Sequence, residues 1–419
     1  MHEALTGFMA RLAEFAGALG LPALPDPRCM TLLATYPASV AVPAGEVRRT
    51  PYRPELDVLR FMAFFLVFLH HILPRHESGY PAFYGSAAGV LASIGNLCGY
   101  GLSLFFALSA FLITDLLMRE KAQTGYVHLR DFYVRRVLRI WPLYFFGLLL
   151  GWLHYAVNRD PADALMLTMF MLMAGNWFFQ SGQWSSNPAT PLWSISIEEQ
   201  FYLVWPMAMK LLGRSGIYAA CGVLTAVAIG VEFYFGETHA AVDTTVWTNT
   251  FVQFQTFAAG AALAIYLNGG TVRLSVAARA ALMACGFALW FVAVDVLQAK
   301  QIGLAQSGPM LAGGIGVSVF GSLAIIVSMV GAQINSRNVL VYLGKVSFGL
   351  YVFHLLFIDM ANKIYIGLVD SFYIPVSPIV FSLLAIFPTI LAAHFSYRLL
   401  ETPFLRLKER FTFVTSRPV

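Results

Sequence analysis

Apolar stretches long enough to cross a bilayer recur along almost the whole of this chain, and that recurrence leaves few folds open. They lie at roughly 56–73, 88–118, 140–157, 163–180, 193–212, 217–235, 247–267, 277–297, 309–330, 341–366 and 378–397. Lipid offers no hydrogen bonds, so a chain with about eleven such runs has to satisfy its backbone inside helices. The expected fold is an all-α polytopic membrane protein. Composition agrees, since only 12% of the residues are charged, about half the fraction usual in a soluble domain. The mean hydropathy is +0.68.

Loop charge then orders the runs. The net charge of +5 resides in short basic loops between apolar runs, which the positive-inside rule explains with no nucleic-acid partner. Arg119, Lys121, Arg130, Arg135, Arg136 and Arg139 form one such loop. Lys210 with Arg214, Arg273 with Arg279, Arg337 with Lys345, and Arg406, Lys408 and Arg410 form the others. Counting back from a cytoplasmic C-terminus places the loop at 181–192 outside; counting forward from Arg48, Arg49 and Arg53 places 158–162 outside as well. Both hold only if 163–180 enters and leaves on one side or packs inside the bundle, where a broken helix is tolerated. The expectation is about ten transmembrane helices, one re-entrant or buried non-crossing segment, and both termini in the cytoplasm.

Residues 1–52 read as an N-terminal extension and Pro-rich linker, in which 4–20 has the makings of a short amphipathic surface helix. Residues 53–410 form the membrane domain and 411–419 a cytoplasmic tail. Cys29, Cys98, Cys221 and Cys285 show neither metal-ligand nor disulfide spacing and read as small core residues.

The chemistry has to come from the few polar side chains inside apolar runs. Arg60 and His71 are eleven residues apart in LRFMAFFLVFLHHI. They share a helix face and lie about 16 Å apart along its axis. An ionisable group facing lipid is costly, so His71 is expected to face the bundle interior or a wet cavity. A histidine there can brace a neighbouring helix, but the arginine on the same face favours a chemical role. His70 points about 100° away and reads as structural or interfacial. In RRVLRIWPLYF (135–145), Arg135, Arg136 and Arg139 cluster on neighbouring helical positions. They serve either as topological anchors or as a phosphate clamp, where guanidinium forks match phosphate oxygens. In PLWSISIEEQFYLVWP (191–206), Ser194, Ser196, Glu198 and Glu199 enter an apolar helix, with Glu198 and Tyr202 on one face. The acids either favour the helix N-terminus or supply a carboxylate that orients a catalytic histidine. His354, inside SFGLYVFHLLF (347–357), either braces packing or lines a cavity.

Taken in order, six stretches from about residue 53 to 406 resemble the acyltransferase-3 family of bacterial integral-membrane O-acyltransferases. They are LDVLRFMAFFLVFLHH, SLFFALSAFLIT, FYVRRVLRIWPLYFF, LWSISIEEQFYLVWP, SFGLYVFHLLF and SYRLLETPF. The family's Arg-x10-His pair falls on Arg60 and His71, its Arg-Arg-x-x-Arg-Ile-x-Pro run on Arg135, Arg136, Arg139 and Pro142, and its Ser-x-Glu-x-x-Phe-Tyr run on Ser196, Glu198, Phe201 and Tyr202. The resemblance implies transfer of an acyl group, usually acetyl, from cytoplasmic acyl-CoA to a hydroxyl of an extracytoplasmic acceptor, mostly a glycan. It implies acetyl-CoA as co-substrate, no metal, and residence in the bacterial cytoplasmic membrane.

On that reading Arg60, Arg135, Arg136 and Arg139 hold the donor, while Ser196, Tyr202 and His354 contact substrate. His71 is the base, since an imidazole of pKa about 6.5 can take a hydroxyl proton at neutral pH, and Glu198 holds its tautomer. Eleven residues of helix rise about 16 Å, on the order of the 15–20 Å reach of an extended pantetheine arm. Val58 and Phe61 stand where the family usually has glycines, and Ser109-Ala110-Phe111 where it has Ser-Gly-Phe. These bulkier groups narrow the donor path and bear on acyl chain length. No hydrolase-like domain is expected after residue 410, so any second acyl-transfer step calls for a separate periplasmic transferase. The rival class is a polytopic transporter or exporter whose polar residues line a substrate path, but no inverted repeat is visible. A lipid-linked glycosyltransferase would need a carboxylate pair in a large outer loop.

Overall fold

The computed structural model describes residues 52–74, 87–238, 242–299, 306–372 and 377–413. The extension expected for 1–52 lies, Tyr52 aside, outside the described residues, as does the tail from residue 414. Helices account for almost all of the rest, and the described residues include no strand. In chain order they are α1 (Pro54–Ile72), α2 (Ala88–Cys98), α3 (Gly101–Thr124), α4 (Leu129–Asn158) and α5 (Pro161–Met171). Then come α6 (Leu192–Leu211), α7 (Arg214–Glu237), α8 (Thr250–Leu267), α9 (Val276–Phe291) and α10 (Gly308–Met329). The last five are α11 (Val339–Lys345), α12 (Ser347–Phe372), α13 (Pro378–Leu383), α14 (Ile386–Ser396) and α15 (Thr402–Lys408).

Eight helical runs are long and apolar enough to cross a membrane. They are α2 continued by α3, α4, α7, α8, α9 with its extension to Val296, α10, α12, and the run from α13 to Phe411. Helices α1 and α6, of 19 and 20 residues, also match the thickness of a hydrocarbon core at 1.5 Å per residue. Both carry three charged residues: Glu55, Asp57 and Arg60 on α1, and Glu198, Glu199 and Lys210 on α6. Together these make ten membrane-length runs among the described residues, the number expected from loop charge.

The segment 163–180 is not a continuous helix. α5 starts on Asp160, whose side chain accepts from Ala162 N at 3.0 Å, and Pro161 occupies its first position, where a missing N–H costs nothing. It ends at Met171 after 11 residues, about 16 Å of rise and too short to cross. A 3-10 turn, Gly175–Ser181, follows. Irregular backbone at membrane depth survives only when protein satisfies it, and here side-chain amides do so. Asn176 Nδ2 donates to Thr248 O at 3.1 Å and to Thr250 Oγ1 at 2.9 Å. Gln200 Nε2 donates to Met173 O at 3.0 Å and to Asn176 Oδ1 at 2.9 Å. The same amide network therefore anchors α6, which carries Glu198 and Tyr202.

Helix α1 begins with Pro54 at its first turn, followed by Glu55 and Asp57, a charge placement that complements the helix dipole. Two glycines let neighbouring helices approach its backbone. A Cβ at Gly101 would lie 2.6 Å from Ala63 O, and one at Gly344 would lie 1.8 Å from Asp57 O. Small residues at such contacts are how helices pack closely where lipid supplies no hydrophobic drive. α3 and α11 thus hold α1 along its length and fix the faces of Arg60 and His71. Farther in, Phe106, Phe201 and Phe257 tie α3, α6 and α8 together, with ring centroids 4.8 and 4.6 Å apart on either side of Phe257. Of the cysteines read as core residues, Cys98 and Cys221 are buried, whereas Cys285 is exposed.

Candidate functional site

One cavity of about 230 Å³ is framed by α1, α3, α4, α6 and α12. At one end its lining includes Arg53, Arg119, Arg139 and Lys408; at the other it reaches Ser194 and Tyr351. Seven basic and four acidic side chains line it, a formal excess of three positive charges. The volume sits near the lower bound for small-molecule pockets, which suits an extended chain entering from a basic mouth better than a bulky group lodged inside.

The arginines do not stand alone. Arg60 Nη1 donates to Asp57 Oδ1 at 2.9 Å, and Tyr52 OH donates to the other oxygen at 2.5 Å. Arg119 Nε donates to Asp115 Oδ2 at 2.9 Å. Arg135 is the most enclosed: Nη2 meets Glu120 Oε2 at 2.6 Å, Nη1 meets Phe411 O at 2.7 Å, and only 4% of the residue is exposed. A buried guanidinium with those partners is committed to holding α3, α4 and the C-terminal segment together. Of the four arginines expected to hold a donor, Arg135 has two guanidinium nitrogens engaged by protein, Nη1 by Phe411 O and Nη2 by Glu120.

Arg136 differs. Its guanidinium carbon lies 5.4 Å from the Phe132 ring centroid and 5.5 Å from that of Tyr202, a stacked placement that suits arginine's flat, weakly hydrated cation. Glu198 and Glu199 lie within its electrostatic reach. Glu198 is hydrogen-bonded to Ser109, and Ser109 also shares a hydrogen bond with the Tyr202 hydroxyl. Ser109, Glu198, Tyr202 and Arg136 form one polar unit in the cavity wall, spanning α3, α4 and α6. Trp205 Nε1, donating to Thr114 Oγ1 at 2.8 Å, locks α6 to α3 one turn further on.

At the far end of α1 stands His71. Its Nδ1 donates to Val67 O at 2.8 Å, so the carbonyl one turn back fixes the tautomer and leaves the lone pair on Nε2. Glu198, expected to orient His71, is hydrogen-bonded to Ser109 and lies near Arg136 and Arg60. The ring facing His71 is His354, with centroids 5.0 Å apart and planes at 67°. His354 is fully buried, and its Nδ1 donates to Tyr351 O at 2.6 Å. Its Nε2 is buried with no hydrogen-bond partner among the described residues, a deficit that costs about 1–3 kcal/mol. His70 points elsewhere, its Nδ1 donating to Gly95 O at 2.7 Å on α2.

Tyr351 joins the two ends. Its hydroxyl meets Ser194 Oγ at 2.7 Å and donates to Pro191 O at 3.2 Å. Its ring lines the cavity and stands 5.4 Å from the His354 ring. Ser196 lies apart from the cavity lining, fully buried, with its hydroxyl 3.4 Å from Leu192 O. Sequence reasoning did not assign Ser109, Asp57, Asp115, Glu120 or Tyr351. The i+3 spacing of Asp57 to Arg60 and the i+4 spacing of Asp115 to Arg119 signalled two of these pairs. Glu120 with Arg135, and Ser109 with Tyr202, depend on which helices meet.

An acyltransferase-domain model of the acyltransferase-3 family matches residues 53–398. O-acetyltransferase OatA of Staphylococcus aureus (strain NCTC 8325 / PS 47) is 26% identical over 384 residues, covering 84% of this chain and 57% of that protein. The putative O-acetyltransferase SAS0844 of Staphylococcus aureus (strain MSSA476) is likewise 26% identical over 383 residues, covering 85% of this chain and 58% of its own length. The chain thus spans less than three fifths of the length of these curated relatives. No solved structure matches it. The family match runs over most of the chain and includes α1, α3, α4, α6 and α12, which frame the cavity and carry the histidine pair: this is a multi-pass membrane protein of the acyltransferase-3 family.

Proposed function

We propose that the chain is a membrane O-acetyltransferase that takes an acetyl group from cytoplasmic acetyl-CoA and delivers it to a hydroxyl of an extracytoplasmic glycan. The observation that carries this reading is a cavity lined by seven basic side chains, Arg60 among them, and by Tyr351, whose ring stands 5.4 Å from that of His354, which in turn lies 5.0 Å from that of His71. Coenzyme A is a polyanion on a thin flexible arm, so a cavity with excess positive charge at one end and room for a narrow chain beyond fits its shape and sign. The relatives named O-acetyltransferase support the same group and the same bond. The arginine end then faces the cytoplasm of a bacterial inner membrane, with both chain termini on that side.

In this mechanism Arg136 and Arg139, with Arg60 positioned by Asp57, hold the phosphates, where charge-assisted bonds are strongest. The thioester carbonyl extends toward the histidines. The acceptor hydroxyl oxygen attacks that carbonyl carbon while its proton moves to Nε2 of His71. The C–S bond breaks, its electron pair stays on sulfur, and the imidazolium returns the proton to the thiolate. His71 is suited to this because Val67 holds the tautomer with the lone pair on Nε2. Tyr202 and Ser109 steady Glu198 and Arg136 in the wall the donor passes.

The test is acetyl transfer from labelled acetyl-CoA to a soluble glycan acceptor, by the full chain reconstituted into sealed vesicles. The expected outcome is acetyl ester on the acceptor that depends on donor on the arginine-end side. Transport of acceptor or donor with no ester formed would overturn the reading.

A further inference from the structure

The transfer chemistry so far leaves unused a buried, hydrogen-bond-deficient group beside His71. His354 sits on α12 with none of its surface exposed. Because Nδ1 donates to Tyr351 O at 2.6 Å, that nitrogen keeps its proton and Nε2 carries a lone pair. The lone pair has no donor among the described residues. Phe64 closes one side of the ring, 6.0 Å away and nearly perpendicular. On another side stands His71, and on a third Tyr351, the wall of the cavity. A residue kept only to fill space here has no use for a basic nitrogen, and an apolar side chain would fill the space without the deficit.

The geometry points to His354 as the partner that shares the proton taken up by His71. The inference rests on the proposed acetyl transfer and names a second group for it. When His71 accepts the hydroxyl proton, it becomes a cation inside the membrane. Glu198 is hydrogen-bonded to Ser109 and lies near the arginines; of the two imidazoles edge-on to His71, His70 directs its Nδ1 to Gly95 O, and the other is His354. Hydrogen bonding from the imidazolium N–H to the His354 lone pair spreads the charge over two rings, and the previously unsatisfied nitrogen gains its donor only at that moment. Interactions made in the transition state and absent from the ground state are those that raise turnover. The balance is closed. The acceptor O–H bond breaks, the new C–O bond forms, and the proton rests between two imidazoles. As the C–S bond breaks, the sulfur takes the electron pair and then the shared proton. His354 adjoins both His71 and the cavity-lining Tyr351.

The test uses chemical rescue in the reconstituted full chain. For His354→Ala, turnover is expected to fall on the order of 10²-fold, with KM for acetyl-CoA changed less than about twofold. Imidazole added to the buffer is expected to restore turnover about tenfold; pyrazole, of the same size and shape but far weaker as a base, is not. His354→Phe keeps the volume filled and is expected to match wild type in melting temperature and donor binding while remaining inactive. Equal rescue by imidazole and pyrazole, a loss confined to KM, or wild-type turnover by His354→Phe would overturn the inference. If wild-type protein transfers no acetyl at all, the transfer reading itself fails, a result distinct from any of these.

Discussion

At the arginine end of α1 the cations meet carboxylates, whereas at the histidine end the rings lean on backbone carbonyls, and His354 Nε2 has no hydrogen-bond partner among the described residues. Arg60 has Asp57, Arg119 has Asp115, Arg135 has Glu120, and Arg136 has Glu198 and Glu199 nearby. His71 and His354 each spend Nδ1 on a carbonyl of their own helix. Both ends place polar groups where water is scarce, and they meet that cost differently. Pre-paired arginines are rigid, charged before any ligand arrives, and built into helix packing. Imidazoles that donate to carbonyls of their own helix are held in orientation and exchange a proton during reaction. Damage at the first end should therefore appear as lost stability or affinity, and damage at the second as lost turnover.

The largest effect expected is from His71→Ala, which removes the base. Acetyl transfer should fall on the order of 10³–10⁴-fold, the upper range for a general base. Acetyl-CoA binding, measured by titration on purified protein, should stay within about twofold of wild type because the basic mouth lies about 16 Å away along α1. A loss of binding matching the loss of rate would erase the contrast between the two ends.

Glu120→Ala probes the other end and should act on the fold. It leaves the Arg135 guanidinium buried without its carboxylate, which costs about 3–5 kcal/mol when one partner of a buried pair is removed. The check is thermal unfolding in detergent, where a large drop in melting temperature is expected. The double variant Glu120→Leu with Arg135→Met should recover most of that drop, since an apolar pair of similar volume often replaces a buried ion pair without loss. Recovery with donor affinity intact would establish Arg135 as a packing cation. If affinity for acetyl-CoA collapses in the stable double variant, Arg135 belongs to the donor site after all.

Arg136→Lys sharpens the comparison from within the arginine end. Lysine keeps the charge but loses both the planar stack over Phe132 and Tyr202 and the two-pronged fork. Affinity for acetyl-CoA should weaken roughly tenfold, about 1.4 kcal/mol, with melting temperature nearly unchanged. A Lys variant that binds like wild type would make Arg136 a point charge.

These contrasts also separate what the chain discloses by itself from what it does not. Period and length exposed the apolar helices, and loop charge exposed the break in 163–180, because both depend on local sequence and on the bilayer. Arg60 and His71 share a helix, so their common face followed from 3.6 residues per turn. Glu198 and Tyr202 were likewise legible as one face, but the partner of that face was not. Ser109 and Arg136, on two other helices, meet it. The meeting of His71 with His354, nearly three hundred residues later, depends on how α1 and α12 pack. Nothing in either motif encodes that contact, and Tyr351 gains its place as cavity wall for the same reason.

The smallest effect, and the one that most sharpens the histidine end, is expected for His70→Ala. His70 is the immediate neighbour of His71, with ring centroids 5.3 Å apart. Its Nδ1 is directed at Gly95 O on α2, while the ring edge-on to His354 belongs to His71. Removing it deletes one hydrogen bond between α1 and α2, worth about 1 kcal/mol, and some packing around the Gly95 contact. Turnover should stay within about threefold of wild type, with a modest fall in melting temperature. The measurement is the same vesicle assay used for His71→Ala, run side by side. Two adjacent histidines with effects differing by orders of magnitude would tie the chemistry to the face that carries Arg60. If His70→Ala were instead as inactive as His71→Ala at normal melting temperature, the reacting face of α1 would have to be redrawn toward α2.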